Sequence, residues 1–228
     1  MTHLQEELKK LRETLSDMAN MVTGQLKKSV SALLDADEDL ANEVLHNENR
    51  VNAFELKIDR DCENIFTLLT PVAHDMRFVF STLKINSDLE RIGDYAEGIA
   101  MLVILGKKDF DAKLIKALEL KNMYDIAYRM MVDITKAYWN DDSKLARSVY
   151  ARDVQLNEIN HNATQVTVDY CKNNPEHIAQ ALYLMSIIRK LERVGDHITN
   201  IAEDVIFYKE AQVLKHKDKS NISDRNNK

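Results

Sequence analysis

The sequence predicts an all-α protein built from two antiparallel three-helix bundles in tandem. Its 228 residues include only five glycines and two prolines, which favours long helices with few turns. Apolar residues recur at spacings of three and four, and no stretch shows the alternation typical of a β-strand. The string LERIGD at Leu89–Asp94 recurs as LERVGD at Leu191–Asp196, 102 residues later. This recurrence indicates a duplicated unit, with three helices in each half.

The first half is predicted to contain three long helices. The first runs from about residue 3 to Leu34, because its apolar residues alternate between spacings of four and three. An Asp-Ala-Asp turn leads to the second helix, which ends near Leu69. The third helix is predicted to start with Thr70 as its N-cap and Pro71 at its first position, and to continue through the first motif to about Leu105.

The second half repeats this plan. A fourth helix is predicted over residues 111–139, and a fifth begins after an Asn-Asp-Asp turn and reaches Asn173. Asn174-Pro175 repeats the combination of cap and proline, and the sixth helix runs to about Gln212. The polar C-terminal segment lacks an apolar stripe, which predicts a disordered tail. The predicted division is therefore a first repeat at 1–106, a second repeat at 107–212 and a tail at 213–228.

Composition argues against several classes of function. The net charge of −6 disfavours nucleic acid as a ligand, because neutralising phosphates drives that binding. The longest apolar run, Ile99–Leu105, is far shorter than the roughly 20 residues that span a bilayer, so we expect no direct membrane insertion. The two cysteines have no metal-binding spacing and fit a reduced, cytoplasmic protein. No nucleophile–base arrangement, phosphate loop or HExxH string is present, so we expect no enzyme.

Each copy of the motif combines two locally unfavourable features. Its glutamate and aspartate lie four residues apart on one helix face, where like charges repel by about 0.2–0.5 kcal/mol. The glycine before the aspartate costs about 1 kcal/mol relative to alanine in a helix interior. Because both halves keep these features, we expect the motif to hold a cation and to let a ligand or a neighbouring backbone come close.

The predicted cation ligands fall into two groups, which lie opposite the apolar stripes of the third and sixth helices and flank the apolar stripe of the second. Oxygen-rich faces of this kind can coordinate a hard or borderline cation. The first acidic strip comprises Glu55 and Asp59 on the second helix with Glu90, Asp94 and Glu97 on the third. The second acidic strip comprises Glu192, Asp196, Asn200 and Glu203 on the sixth helix.

The fifth helix offers fewer ligands than the second helix does. Its comparable face carries Asp153, Asn157 and His161, so weaker metal binding, a nitrogen ligand and ordinary polar surface all remain open. His197 follows Asp196 but points about 100° away from it on a helix, which suggests a supporting or surface residue. A ferritin-like di-iron site is excluded, because it needs histidine three residues after glutamate and both motifs have glycine there.

The ordered set of strings resembles the PhoU family. In the first half the resemblance rests on Val51-Asn52 with Glu55 and Ile58-Asp59, then on Pro71-Val72-Ala73 with Asp75-Met76-Arg77, and then on the first motif followed by Tyr95-Ala96. In the second half it rests on the second motif followed by Asn200-Ile201-Ala202-Glu203. Each string is weak by itself, but the doubled and ordered set is specific and covers the chain up to the tail.

This resemblance implies a fold of two three-helix bundles with multinuclear iron or zinc clusters on their surfaces. The implied ligands at motif positions are Glu55, Asp59, Glu90, Asp94, Glu192 and Asp196, with Asn200 and Glu203 as additions. It also implies a cytosolic negative regulator of phosphate uptake, often a homodimer, that contacts the ATPase subunit of the phosphate ABC transporter and the phosphate sensor histidine kinase. Asn157 and Ile159 replace expected carboxylates on the fifth helix, which implies a less complete second cluster.

Two other functions remain as alternatives at this stage. A carboxylate-bridged metalloenzyme, either a hydrolase or an oxidase, could use the same side chains to activate water. A metal-free helical adaptor could instead present the two strips to solvent or to a basic partner. Turnover of phosphate esters would favour the enzyme, and partner binding that survives chelation would favour the adaptor.

Overall fold

A computed structural model describes residues 2–106 and 110–214. The described residues form eight α-helices and one 3₁₀ turn, and they include no strand. In the first half the helices are α1 (His3–Asp35), α2 (Glu38–Leu68) and α3 (Ala73–Gly106). In the second half they are α4 (Ala112–Ala117), α5 (Leu120–Asn140), α6 (Ser143–Arg147), α7 (Tyr150–Asn173) and α8 (Ile178–Glu210), with the 3₁₀ turn at Pro175–His177.

The all-α prediction with two bundles is confirmed, but four of the predicted helix limits are wrong. The last helix, α8, begins at Ile178 and not at Pro175, because Pro175–His177 forms a 3₁₀ turn and the Asn174 side chain makes no capping hydrogen bond. Helix α3 begins at Ala73, because Thr70 has a φ of 46° and so lacks the extended backbone of an N-cap. The predicted fourth helix breaks before α5, where Glu119 adopts a left-handed φ of 51°. The predicted fifth helix breaks after α6, where the Ser148 hydroxyl donates to the Leu145 carbonyl and the backbone tightens.

Each half buries its apolar stripes in a three-helix bundle. Helices α1, α2 and α3 pack against one another, and α5, α7 and α8 do the same in the second half. The short helices α4 and α6 pack on α5, and α6 also packs on α8. The buried apolar residues of the two bundles form one continuous core, because α3 packs along α8 and α1 also contacts α5.

Helices α3 and α8 run antiparallel, as three contacts along their length demonstrate. The Phe78 and Tyr208 rings meet at 5.6 Å, and the Lys84 ammonium lies 2.7 Å from an Asp204 carboxylate oxygen. Further along α3, the Tyr95 ring lies 5.8 Å from the Lys190 ammonium. This register places the two LERxGD motifs level with each other near the middle of the helix pair.

A partly buried cluster around Arg12 joins the two halves at one end of this pair. The guanidinium lies 4.8 Å from the Phe78 ring centre and donates to the Tyr138 carbonyl at 2.6 Å. It also pairs with Asp141 at 2.8 Å, and the Tyr208 hydroxyl donates to the same carboxylate at 2.7 Å. Each charged or polar group therefore has a partner, which compensates for removing it from water.

No described helix is both long enough and apolar enough to cross a membrane. The predicted boundary between the repeats at 106/107 falls beside residues 107–109, which lie outside the described part of the chain. Most of the predicted tail, residues 215–228, also lies outside it. Leu214, which the prediction assigns to the tail, is buried, whereas Val213 is exposed.

We expect alanine to have opposite effects at two helical glycines. A Cβ at Gly24 would meet no atom within 4 Å, so Gly24→Ala should stabilise the protein by about 0.5–1 kcal/mol through helix propensity. A Cβ at Gly195 would lie 2.5 Å from a methyl carbon of the fully buried Leu156, so Gly195→Ala should destabilise it by about 1–3 kcal/mol through overpacking. Urea unfolding of the two variants beside wild type measures both effects, and a stabilising Gly195→Ala would contradict the close packing.

Candidate metal site

The structure brings the five side chains of the first acidic strip onto one surface shared by α2 and α3. Glu55 and Asp59 lie on α2, and Asn86 of α3 connects the helices by donating to the Asp59 carboxylate at 2.9 Å and to the Glu55 carbonyl at 3.0 Å. Burial raises the pKa of Glu55, and repulsion from Asp59 adds to the shift. Burial also raises the pKa of Glu90 on α3, and repulsion from Asp94 adds to it.

Arg91 is the cation that lies closest to this strip among the described ion pairs. Its guanidinium pairs with Asp94 at 3.0 Å and with Glu90 at 3.6 Å, and its side chain is 58% exposed. Pairs as exposed as these contribute little stability, because water screens their attraction. Repulsion among the carboxylates therefore remains only partly balanced at the outer edge of the strip.

A further carboxylate, Glu48, lies beneath the first acidic strip. It is only 5% exposed, and neither of its carboxylate oxygens has a hydrogen-bond partner. Burial raises its pKa to about 7, and repulsion from Glu97, Asp94 and Glu90 adds to the shift. Sequence reasoning missed this residue, although it precedes Asn52 by four residues on the helix face that also carries Glu55 and Asp59.

The motif glycine of α3 makes room for Glu48. A Cβ at Gly93 would lie 3.1 Å from a Val51 methyl carbon and 3.3 Å and 3.4 Å from the two Glu48 oxygens. Such distances are tighter than ordinary van der Waals contact, so a side chain at position 93 would push α2 and its carboxylate outward. At Gly93 the group that comes close is therefore helix α2, with its buried acid Glu48.

The second acidic strip is divided between two places. Glu192 and Asp196 lie beside Arg193, whose guanidinium is 3.8 Å and 3.3 Å from their carboxylates. Asn200, one turn further along α8, donates to Asp88 of α3 at 3.2 Å. With Glu203 it lines a groove of about 290 Å³ between α3 and α8, which also contains Lys84 and Asp204. Asn200 and Glu203 therefore lie toward α3, whereas Glu192 and Asp196 lie beside Arg193.

Helix α7 presents fewer charges than α2. Asp153 is buried with a carboxylate oxygen that would lie 3.2 Å from a Cβ at Gly195, so it occupies the place that Glu48 has in the first half. Counted from these two acids, the positions on α7 that match Glu55 and Asp59 hold Asn160 and Thr164. The prediction that Ile159 takes a carboxylate position is wrong, because Ile159 packs in the core.

The two histidines near the predicted ligands have different environments. His197 extends across the boundary between the halves, where its Nδ1 lies 2.7 Å from the Asp88 carboxylate and its ring lies 5.7 Å from that of Tyr95. The same Asp88 carboxylate accepts from Asn200, and a supporting role of His197 stays a prediction. His161 on α7 is exposed, and no contact identifies it as a ligand.

In the part of the chain that the structure describes, no three His, Cys, Asp or Glu side chains are already arranged to hold one metal ion. A cavity of about 340 Å³ lies between α1 and α5, and none of the predicted ligands lines it. Carboxylates nevertheless fit a hard or borderline cation, and the unpaired oxygens of Glu48 provide a direct reason for one to bind.

We predict that the stability of metal-free protein depends on pH through Glu48. Its pKa is about 7 in the folded state against 4.5 in the unfolded state, so the folded state holds the proton more tightly. The resulting stability, on the order of 3 kcal/mol, is fully present below pH 4.5 and is lost as pH rises through 7. Urea unfolding with chelator should show that wild type loses this stability relative to Glu48→Gln, whereas a constant difference between them at pH 4.5 and 8 would contradict it.

Comparison with known proteins places these features in one family. The sequence profile of the PhoU domain matches residues 15–103 and 120–205. A phosphate-specific transport system accessory protein PhoU homolog of Pseudomonas putida is 32% identical over 210 residues, which cover 92% of this chain and 82% of the relative. The PhoU accessory protein of Escherichia coli is 28% identical over 92% of this chain and 86% of the relative.

Two crystal structures have the same fold. PhoU from Pseudomonas aeruginosa matches with a TM-score of 0.88 and 31% identity over 92% of this chain and all of that one. The phosphate transport system regulatory protein PhoU from Streptococcus pneumoniae matches with a TM-score of 0.84 and 25% identity over 92% and 99% of the two chains. The doubled domain match and the paired LERxGD motifs therefore establish that this chain belongs to the PhoU family.

Proposed function

We propose that this protein is a non-catalytic, metal-binding regulator of phosphate uptake in the cytoplasm. The names of its relatives, which are accessory proteins of a phosphate-specific transport system, support the regulatory role. The observation that carries the metal-binding role is the crowding of carboxylates in the first acidic strip above the unpaired oxygens of Glu48.

The two strips would contribute unequally to metal binding. In the first half, Glu55 and Asp59 would bind from α2, while Glu90, Asp94 and Glu97 would bind from α3. In the second half, Glu192 and Asp196 would bind from α8 with amide and hydroxyl groups opposite them. A multinuclear iron or zinc cluster would supply the positive charge that these carboxylates lack. The carboxylates would thereby hold neighbouring helices in one mutual geometry.

The proposed partners are the ATPase subunit of the phosphate ABC transporter and the phosphate sensor histidine kinase, with this protein acting as a homodimer and a negative regulator. Matched exposed apolar side chains in the two repeats support protein contacts. Phe80 on α3 and Leu182 on α8 are 50% and 59% exposed and lie 102 residues apart, the same offset as the motifs. Contiguous exposed apolar patches mark recognition surfaces, and the Phe80 patch extends to the Phe66 ring, whose centre lies 4.8 Å away.

A metal-free helical adaptor remains the second candidate. One observation favours it. Among residues 2–106 and 110–214, no three Asp, Glu, His or Cys side chains are already arranged to hold one metal ion. In that case the strips would contact basic groups of the partner through exposed carboxylates such as Asp94. Partner binding before and after chelation distinguishes the candidates, because only the metal-dependent regulator should lose it.

We predict that the wild-type chain binds at least about one iron or zinc ion per molecule and that Glu90→Gln with Asp94→Asn removes most of this binding. Both substitutions keep the side-chain shape but remove the charges that a cation requires. Elemental analysis after loading with Fe²⁺ or Zn²⁺ and gel filtration measures the metal content.

A matched control for that double variant is Glu63→Gln with Asp17→Asn, which removes the same two charges from exposed positions outside the strips. Its metal content should equal that of wild type. A wild-type content well below one ion per chain, unchanged in the double variant, would contradict metal binding.

We also predict that deleting the gene in its host raises phosphate uptake and turns on phosphate-starvation promoters in phosphate-rich medium. The wild-type gene should restore repression, because a negative regulator acts when phosphate is plentiful. The Glu90→Gln/Asp94→Asn gene should restore less of it at equal protein level. A promoter reporter and phosphate uptake measure the response, and unchanged values after deletion would contradict the regulatory role.

A further inference from the structure

Glu48 is a buried acid that sequence reasoning assigns to no site. Its carboxylate lies between α2 and α3, beneath the strip, and both oxygens are buried without a hydrogen-bond partner. An ionised carboxylate left unpaired in such a place is strongly unfavourable, and proteins normally provide a hydrogen-bond donor, an ion pair or a metal ion. Here the charged groups that act on Glu48 are all acids, namely Glu90, Asp94 and Glu97.

The surroundings of Glu48 favour a small cation over a partner's side chain. Only 5% of Glu48 is exposed, so a lysine or arginine from another protein would have to penetrate between two packed helices. Arg91 remains at the outer edge, where it pairs with Glu90 and Asp94. A divalent ion is compact enough to lie between the outer carboxylates and the inner one, and it prefers oxygen ligands from several directions.

The glycine of the motif keeps this inner position open. Because residue 93 has no side chain, the Glu48 oxygens approach the α3 backbone to within 3.3–3.4 Å of where a Cβ would be. Gly93 lies one residue before Asp94, so the Glu48 carboxylate of α2 packs against the same turn of α3 that carries the motif aspartate. The glycine thus supplies space for a carboxylate from the neighbouring helix, directly below the motif.

From this geometry we infer that Glu48 is a further metal ligand, which binds the ion from beneath the first acidic strip while the motif carboxylates bind it from above. The inference rests on the proposed metal-binding function and extends it to a residue outside the two Glu-x-x-x-Asp motifs of the first half. It also gives α2 a ligand whose position is fixed by packing, whereas Glu55 and Asp59 lie nearer to solvent.

The second half carries a weaker version of the same arrangement. Asp153 is one methylene shorter than Glu48, and the Asn157 amide donates to it at 3.4 Å. The next two positions of this face on α7, Asn160 and Thr164, carry no charge. Glu48 therefore makes the first half the tighter of two unequal sites.

The test compares metal binding by three full-length variants after removal of all metal. Glu48→Gln removes the inner charge, Glu48→Asp keeps the charge but shortens the side chain as in Asp153, and Glu63→Gln removes an exposed charge from the same helix. Isothermal titration with Zn²⁺ and with Mn²⁺ gives affinity and stoichiometry, and thermal unfolding with and without each ion gives an independent readout.

We expect Glu48→Gln to weaken the tightest site at least tenfold and Glu48→Asp to weaken it less, while Glu63→Gln binds as wild type does. Without metal, Glu48→Gln should melt at or above the wild-type temperature at pH 8, which verifies that it folds, and its melting temperature should rise less on adding metal. Wild-type affinity in Glu48→Gln would overturn this inference while leaving the metal-binding function intact. Failure of wild type itself to bind either ion would overturn both.

Discussion

The close approach of a second helix to the motif glycine is the constraint on which the rest of the structure depends. In the first half α2 packs against Gly93, and in the second α7 packs against Gly195. Each approach brings a buried acid, Glu48 or Asp153, to the backbone of the central helix. The glycine weakens its helix locally, and the packing that it permits compensates for this loss.

This constraint also explains why the acids of the first half perturb one another. Once α2 is held close to α3, the carboxylates of both helices share a small surface, and Glu48 is almost completely shielded from water. The charges can be balanced by protons at low pH or by a cation at neutral pH, and both routes favour the folded state. A regulator built in this way would couple the geometry of its bundle to the occupancy of its acidic surface.

The packing of α3 against α8 joins the two halves. The Arg12 cluster, the Lys84–Asp204 pair and the Asp88–His197 contact all cross between repeats. The duplication has nonetheless diverged in chemistry. The position on α8 that matches Asp88 holds Lys190, and the positions on α7 that match two carboxylates of α2 are uncharged. Symmetry of the fold therefore does not carry over into symmetry of the site.

The sequence by itself determined the all-α class, the number of long helices, the duplication and the two motifs, because helical periodicity and repeated strings are local patterns. It also identified Glu90 and Asp94 as neighbours on one face, since that follows from a spacing of four. Only the tertiary structure decided that Glu48 belongs with them and that Asn200 turns toward Asp88. It also decided that Ile159 lies in the core. These outcomes depend on how one helix rotates and slides against another, and that fit is set by side-chain packing between distant segments, which no local pattern encodes.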